Sequence, residues 1–261
     1  MSSKSYTLIT GASGGIGHDL AILAAADDKN LVLVARSADK LDQLAKTIRK
    51  NNKSEVITIA LDLSEEAGVN KLISEITLKD IKIDTLINNA GFADYGDFAK
   101  ADLAKNLEMI RLNISTLTQL SHFALQGMLK TGGGRILNVA STASFMPGPG
   151  MAVYYASKAY VLSFSEALTR ELKGTGVSVT TLCPGPTDTN FASVAGLGKS
   201  LMHRMIPPAT SMQVAKAGYK AMMKGKAIEI PGLVNKLSTM APRFSPRGMI
   251  RNMIYGIHQN H

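Results

Sequence analysis

Short runs of aliphatic and β-branched residues alternate with longer stretches whose apolar positions recur every three or four residues. The short runs occupy residues 6–10, 31–35, 56–60, 85–88, 135–139, 177–182 and 227–230. They are apolar on both faces rather than alternating, as strands of a parallel sheet covered by helices above and below must be. The helical patterns lie at residues 16–26, 38–51, 65–78, 103–129 and 152–173. Unbroken alternation of the two predicts an α/β fold: a doubly wound, seven-stranded parallel sheet with helices on both faces. No repeat, low-complexity tract or linker interrupts it, so residues 1–261 are expected to form one domain. Two segments depart from the rhythm. Residues from Pro186 to about Lys224 are rich in Met and broken by Gly196, Gly198, Pro207 and Pro208, and read as an irregular helical insertion. The stretch after residue 230 holds Pro231, Pro242 and Pro246, with one helical pattern near residues 249–257.

Composition adds what this pattern excludes. Apolar residues make up 45% of the chain, yet no apolar run approaches the ~20 residues of a membrane span. The N-terminus lacks the layout of a signal peptide. Cys183 is the only cysteine, which rules out an intrachain disulfide and fits a reducing compartment. A cytoplasmic protein is expected, with no metal site and no nucleic-acid partner. The net charge of +9 is placed unevenly: the last 63 residues hold 10 of the 29 Lys and Arg but one of the 20 acids, Glu229. Lys216, Lys220 and Lys224 form one helical stripe, and Lys236, Arg243, Arg247 and Arg251 continue the excess. Such asymmetry suits an anionic carrier, a peripheral contact with a membrane surface, or simply a solvated basic face.

The first strand runs into Thr10-Gly-Ala-Ser-Gly-Gly-Ile-Gly17, and a helix follows. A pyrophosphate can approach backbone closely only where no Cβ intervenes, and the helix N-terminus then meets it with free N–H groups. Gly11, Ser13, Gly15, Ile16 and Gly17 are therefore candidate cofactor contacts in the strand–turn–helix setting the motif requires. The second strand ends Ala35-Arg36-Ser37 with no acid to bind a ribose 2′-OH. Arg36 offers a planar guanidinium to a 2′-phosphate, and Ser13 and Ser37 offer hydroxyls, so NADP(H) is the expected cofactor.

Over residues 4 to 191 the chain resembles the short-chain dehydrogenase/reductase family, in its NADP-linked branch related to ketoacyl and hydroxysteroid reductases. Thr10–Gly17 matches the family's TGxxxGxG. Asp62-Leu63 follows the third strand, and Asn88-Asn89-Ala90-Gly91 follows the fourth. Ser141 lies thirteen residues before Tyr154, and Tyr154 and Lys158 supply YxxxK. Pro184-Gly185, with Thr187 and Thr189, matches the segment that the family lays along the nicotinamide. The resemblance implies a Rossmann fold, adenine contacts by Asp62 and Leu63, further cofactor contacts by Asn89, Ala90, Gly91 and Lys158, and an Asn113 that holds a water relaying protons to Lys158. It also implies a homodimer or homotetramer, with the helices at 103–129 and 152–173 as the dimer face.

The chemistry is consistent with the spacing. Tyr154 and Lys158 lie four apart and share a helix face. An ammonium beside a phenol favours the phenolate and is expected to lower its pKa towards the working pH. Tyr154 is the expected proton donor to a nascent alkoxide, and Ser141 a hydrogen-bond donor to the substrate oxygen. Tyr155 reads as a packing aromatic and Cys183 as a buried core thiol. The expected reaction is NADPH-dependent reduction of an apolar ketone, or of a 3-oxoacyl thioester, to a secondary alcohol. The alternative is a non-catalytic NADP(H)-binding sensor or scaffold. Residues at about 190–225 are expected to form a lid, with Phe191, Val194, Leu197, Leu201, Met202, Met205 and Ile206 either meeting the substrate or packing on the core. Residues at about 232–261 form a basic C-terminal extension.

Overall fold

The computed structural model describes residues 4–191 and 208–259. Its strands are β1 (Ser5–Thr10), β2 (Asn30–Ala35), β3 (Val56–Ala60), β4 (Lys82–Asn88), β5 (Gly134–Val139), β6 (Val177–Leu182), a short pair β7 (Thr187–Asp188) and β8 (Ala209–Thr210), and β9 (Ile228–Glu229). Seven of them form one sheet in the order β3-β2-β1-β4-β5-β6-β9. Every pairing in it is parallel.

The helices are α1 (Gly15–Ala26), α2 (Ala38–Asn51), α3 (Glu66–Leu78), α4 (Leu103–Ile110), α5 (Leu117–Thr131), α6 (Ala152–Glu171), α7 (Ser211–Met223), α8 (Leu233–Phe244) and α9 (Arg247–Gln259). Successive strand residues point to opposite faces of the sheet, and each face has its own core. On one, Ile9, Leu33, Leu137 and Leu182 pack against Leu20 and Ala24 of α1, Leu41 and Ile48 of α2 and Val214 and Met222 of α7. On the other, Leu8, Val32, Leu86 and Val179 pack against Leu72 and Ile76 of α3 and Leu120, Ala124 and Met128 of α5. Each fully buried Leu or Ile contributes roughly 1.5–3 kcal/mol. This is why the strand runs carry no polar alternation.

Strand order reverses between β1 and β4, which leaves a crevice at their C-terminal ends, where ligands of such sheets bind. Thr10 and Asn88 end the two strands at that point.

The structure departs from the sequence pattern in three places. The helix expected at 103–129 is divided into α4 and α5 by a π-helical turn at Arg111–Thr116, which carries Asn113. The expected lid at about 190–225 splits: residues 192–207, with Val194, Leu197, Leu201, Met202, Met205 and Ile206, lie outside the described residues, whereas α7 is a core helix. Val214, Ala215, Tyr219 and Met222 of α7 are buried in the cluster beside α1. A capping box starts α7, with Thr210 Oγ1 accepting from the Gln213 N–H at 3.2 Å and Gln213 Oε1 accepting from the Thr210 N–H at 3.0 Å. Finally, α8 forms where the prolines gave no helical expectation, with Pro242 inside it, the third residue from its end. No helix of the described residues is long and apolar enough to cross a membrane.

Candidate active site

The crevice at the strand ends opens into a cleft of about 790 Å3. The β1–α1 loop forms its floor. Thr10 Oγ1 accepts the backbone N–H groups of Asn89 (3.1 Å) and Ala90 (3.0 Å), tying the end of β1 to the turn after β4. Asn89 Nδ2 returns two bonds, to the carbonyls of Thr10 (3.0 Å) and Gly11 (3.1 Å). Gly11 has φ +67°, a left-handed conformation that side chains disfavour. At Gly17 a Cβ would strike the Gly11 carbonyl oxygen and the Asn89 amide. Gly17→Ala must therefore push this loop outward. It is expected to weaken dinucleotide binding by tenfold or more in a fluorescence titration, with the sheet intact by circular dichroism. The N-terminus of α1 has no side-chain cap, so its N–H groups stay available to an anion.

Beyond the loop lies the end of β2. Arg36 and Ser37 line the cleft, and Lys40 joins them from the first turn of α2. Arg36 Nη1 lies 3.7 Å from Asp62 Oδ2, and its side chain is 71% exposed. Desolvation raises the Asp62 pKa, but the side-chain and backbone donors of Ser64 and the charge of Arg36 outweigh it and hold the carboxylate below its usual value. Ser64 supplies those donors from Oγ (2.7 Å) and N (2.9 Å) to Asp62 Oδ1.

The other end of the cleft gathers the titratable groups. The short helical turn after β5 begins at Ser141, whose Oγ accepts the Ala143 N–H at 3.1 Å. Tyr154 and Lys158 project from α6, 8% and 5% exposed. Burial pushes the Tyr154 phenol up to about 12, and hydrogen bonding with Ser141 draws it partly back. The lowered phenol pKa expected from the sequence is thus reversed. Lys158 Nζ lies 5.9 Å from the Tyr154 ring centroid and donates to the Val139 carbonyl at 2.8 Å, so desolvation governs the phenol. Desolvation also lowers Lys158, to about 8. Asn113 sits behind Gly91, with Nδ2 donating to Phe92 O and Ser157 Oγ (both 3.0 Å) and Oδ1 accepting from Phe92 N–H (3.2 Å).

The predicted residues thus converge. Gly11, Ser13, Gly15, Ile16, Arg36, Ser37, Asp62, Leu63, Asn89, Ala90, Gly91, Ser141, Tyr154, Lys158, Pro184, Gly185, Thr187 and Thr189 all line one cleft. Gly17 and Asn113 stand directly behind its wall. Cys183 is fully buried beside Val161 and Leu162, its thiol pushed up to about 12 by burial, as a core residue should be.

The family model for short chain dehydrogenase matches residues 5–199 of this chain. The chain belongs to the short-chain dehydrogenase family. It is an oxidoreductase that depends on a nicotinamide dinucleotide. It is 38% identical over 189 residues to sulfoacetaldehyde reductase 2 of Chromohalobacter salexigens, covering 72% of this chain and 74% of that protein. Ketoacyl reductase HetN of a Nostoc species is 33% identical over 230 residues, covering 85% and 76%. A short-chain dehydrogenase from Sphingobium yanoikuyae in complex with NADPH superposes with a TM-score of 0.80 at 29% identity, covering 98% and 96%.

The residues present fit such a dinucleotide. The glycine turn leaves no room for a Cβ, the α1 N-terminus is uncapped, and two cations, Arg36 and Lys40, stand at one end. Near the other end, Asn235 Nδ2 donates to the Pro231 carbonyl at 2.7 Å, while its Oδ1 is buried without a hydrogen-bond partner among the described residues. The sequence reading missed this wall of the dehydrogenase. Asn235, Ser238 and Ala241 of α8 and Met253, Ile254 and Ile257 of α9 line the cleft. The available signal was the polar stripe Asn235, Ser238 and Thr239, set opposite Leu233, Leu237, Met240 and Phe244 at helical spacing. Tyr155, expected only to pack, also lines the cleft, with its ring edge-on to Tyr154 at 6.0 Å.

Proposed function

We propose that this dehydrogenase reduces an apolar ketone, free or carried as a 3-oxoacyl thioester, to a secondary alcohol with NADPH. The observation that carries the reading is a single cleft with cations at one end and, at the other, Ser141 beside buried Tyr154 and Lys158 among apolar walls. NADPH supplies a hydride when bound. Arg36 and Lys40 would hold the 2′-phosphate, with the glycine turn under the pyrophosphate and Asp62 and Leu63 beside the adenine. Asn89, Ala90, Gly91, Pro184, Gly185, Thr187 and Thr189 would line the rest of the bound dinucleotide.

Ser141 Oγ donates to the ketone oxygen and Tyr154 hands its proton to the developing alkoxide. A phenol with a pKa near 12 is protonated throughout the neutral range, the form that a reduction consumes. Lys158 would hold the nicotinamide ribose, and a water held by Asn113 would relay protons to it from solvent. Phe92, Met146, Met151, Tyr155 and Phe191 surround the reacting end and exclude water. Phe92, Met146, Met151, Tyr155 and Phe191 at that end favour an apolar ketone over a small sulfonated substrate such as the one named for the Chromohalobacter relative. Exposed Leu103 and Leu107 on α4, with Tyr160 on α6, support a dimer through these helices.

The test follows NADPH oxidation with a neutral aryl or long-chain ketone, a β-ketoacyl thioester and sulfoacetaldehyde in parallel. Turnover of either of the first two, and slow turnover of the third, is expected. Preference for sulfoacetaldehyde would overturn the substrate reading. Arg36→Asp should lower kcat/KM with NADPH by about 10–100-fold, the loss of a charge-assisted contact, and should spare NADH. An unchanged NADPH/NADH ratio would remove Arg36 from the cofactor site.

A further inference from the structure

Helix α8 turns its apolar side outward. Leu233, Leu237, Met240 and Phe244 recur at spacings of four, three and four, one stripe of a helix. They are 72%, 60%, 52% and 82% exposed. The opposite face is polar and turned inward: Thr239 is buried, and Asn235 and Ser238 line the cleft. Helix α2 shows the ordinary arrangement, with Leu41, Leu44 and Ile48 buried and its charges outside. An apolar stripe held in water has no folding purpose, since the cleft wall needs only the inner face.

The charge around the stripe says what covers it. Lys236 and Arg243 flank it on α8, and Arg247 and Arg251 follow on α9, all exposed. No acid occurs after Glu229, and Glu229 is already paired with Lys226 at 2.6 Å. A two-fold contact with a second copy sets the same patch against itself, which would gather these cations with no carboxylate to meet them. An anionic lipid surface supplies both partners at once: acyl chains for the stripe and headgroups for the cations. We propose that the outer face of α8 seats this enzyme on an anionic lipid bilayer. The helix lies flat in the interface. Its twelve residues reach about 18 Å, too short to span. Because its inner face is a wall of the cleft, docking brings the cleft beside the lipid.

The experiment is flotation of the full-length protein with vesicles, read as bound protein and so independent of the ketone reading. Wild type is expected to float with vesicles containing about one-third phosphatidylserine and to bind pure phosphatidylcholine at least tenfold less, with binding lost at high salt. Leu237→Ser/Phe244→Ser should abolish flotation while NADPH binding and turnover of a soluble ketone stay at wild-type levels. Lys236→Glu/Arg243→Glu should cut it tenfold or more, each cation counting for about fivefold. Equal binding to neutral and anionic vesicles, or no binding at all, would overturn the proposal. So would wild-type flotation by either variant, or a wild-type dimer that Leu237→Ser/Phe244→Ser splits without any vesicle binding.

Discussion

Tyr154→Phe is expected to lower kcat/KM for the ketone by about 10³-fold, with NADPH affinity unchanged within about twofold. The magnitude is that of general acid catalysis by one positioned group, about 10²–10⁴. The substitution removes one oxygen from a side chain that is 8% exposed and keeps the ring, so the packing against Phe191 at 5.6 Å and Tyr155 at 6.0 Å survives. The loss should fall on kcat, because the proton moves only as the alkoxide forms. Stopped-flow single turnover with NADPH checks it. A kcat within tenfold of wild type would transfer the proton donor to another group, and the non-catalytic sensor would return only if wild type itself turned over no ketone.

Lys158→Met is expected to abolish activity and yet stabilise the dinucleotide-free protein at pH 7, by about 2 kcal/mol, or roughly 4–8 °C in Tm for a chain of this size. The reason is linkage. Burial lowers Lys158 from 10.5 to about 8, so between those values the unfolded chain binds more proton than the folded one. The penalty for burying the charged form is absent above the unfolded pKa. It builds as pH falls from 10.5 towards 8 and is complete below 8. Its full size is on the order of 3 kcal/mol, reduced by about 1 for the lost hydrogen bond to Val139 O. The gain in Tm should therefore be present at pH 7 and gone near pH 10.5. A destabilised variant at pH 7, or a gain that does not change with pH, would show that the ammonium is not carried at a cost. The expected result is a trade of stability for function at one side chain.

Much of this was legible in the sequence. The seven strand runs lie in their predicted places because a strand covered on both faces has to be apolar throughout. The cleft residues were legible because Thr10–Gly17, Asn88–Gly91 and Tyr154–Lys158 carry their spacing in short local segments. Three things were not. The direction of the Tyr154 shift depends on burial by Met151, Tyr155 and Phe191, which meet only in the folded chain. Helix α7 resembled part of a lid because it continues a Met-rich stretch broken by Gly196, Gly198, Pro207 and Pro208, while Val214, Ala215 and Met222 on its inner side supply core. Helix α8 was hidden because its apolar stripe points outward and its proline suggested a break. Reading periodicity alone assumes that the apolar side faces the core.

The π turn at Arg111–Thr116 acts as a phase adjuster between two surfaces. Each helical residue advances the chain by about 100°, so Asn113 and the α5 face of Leu117, Leu120, Ala124 and Met128 cannot be set independently on a regular helix. The wider turn absorbs one residue without lengthening the helix. Asn113 can then meet Phe92 and Ser157 while α5 keeps its register on the sheet. Deleting one residue there would rotate either the amide out of the active site or Leu120 and Met128 out of the core. Apart from the buried Asn113 and Thr116, point substitutions should be tolerated along this segment far better than a change in its length.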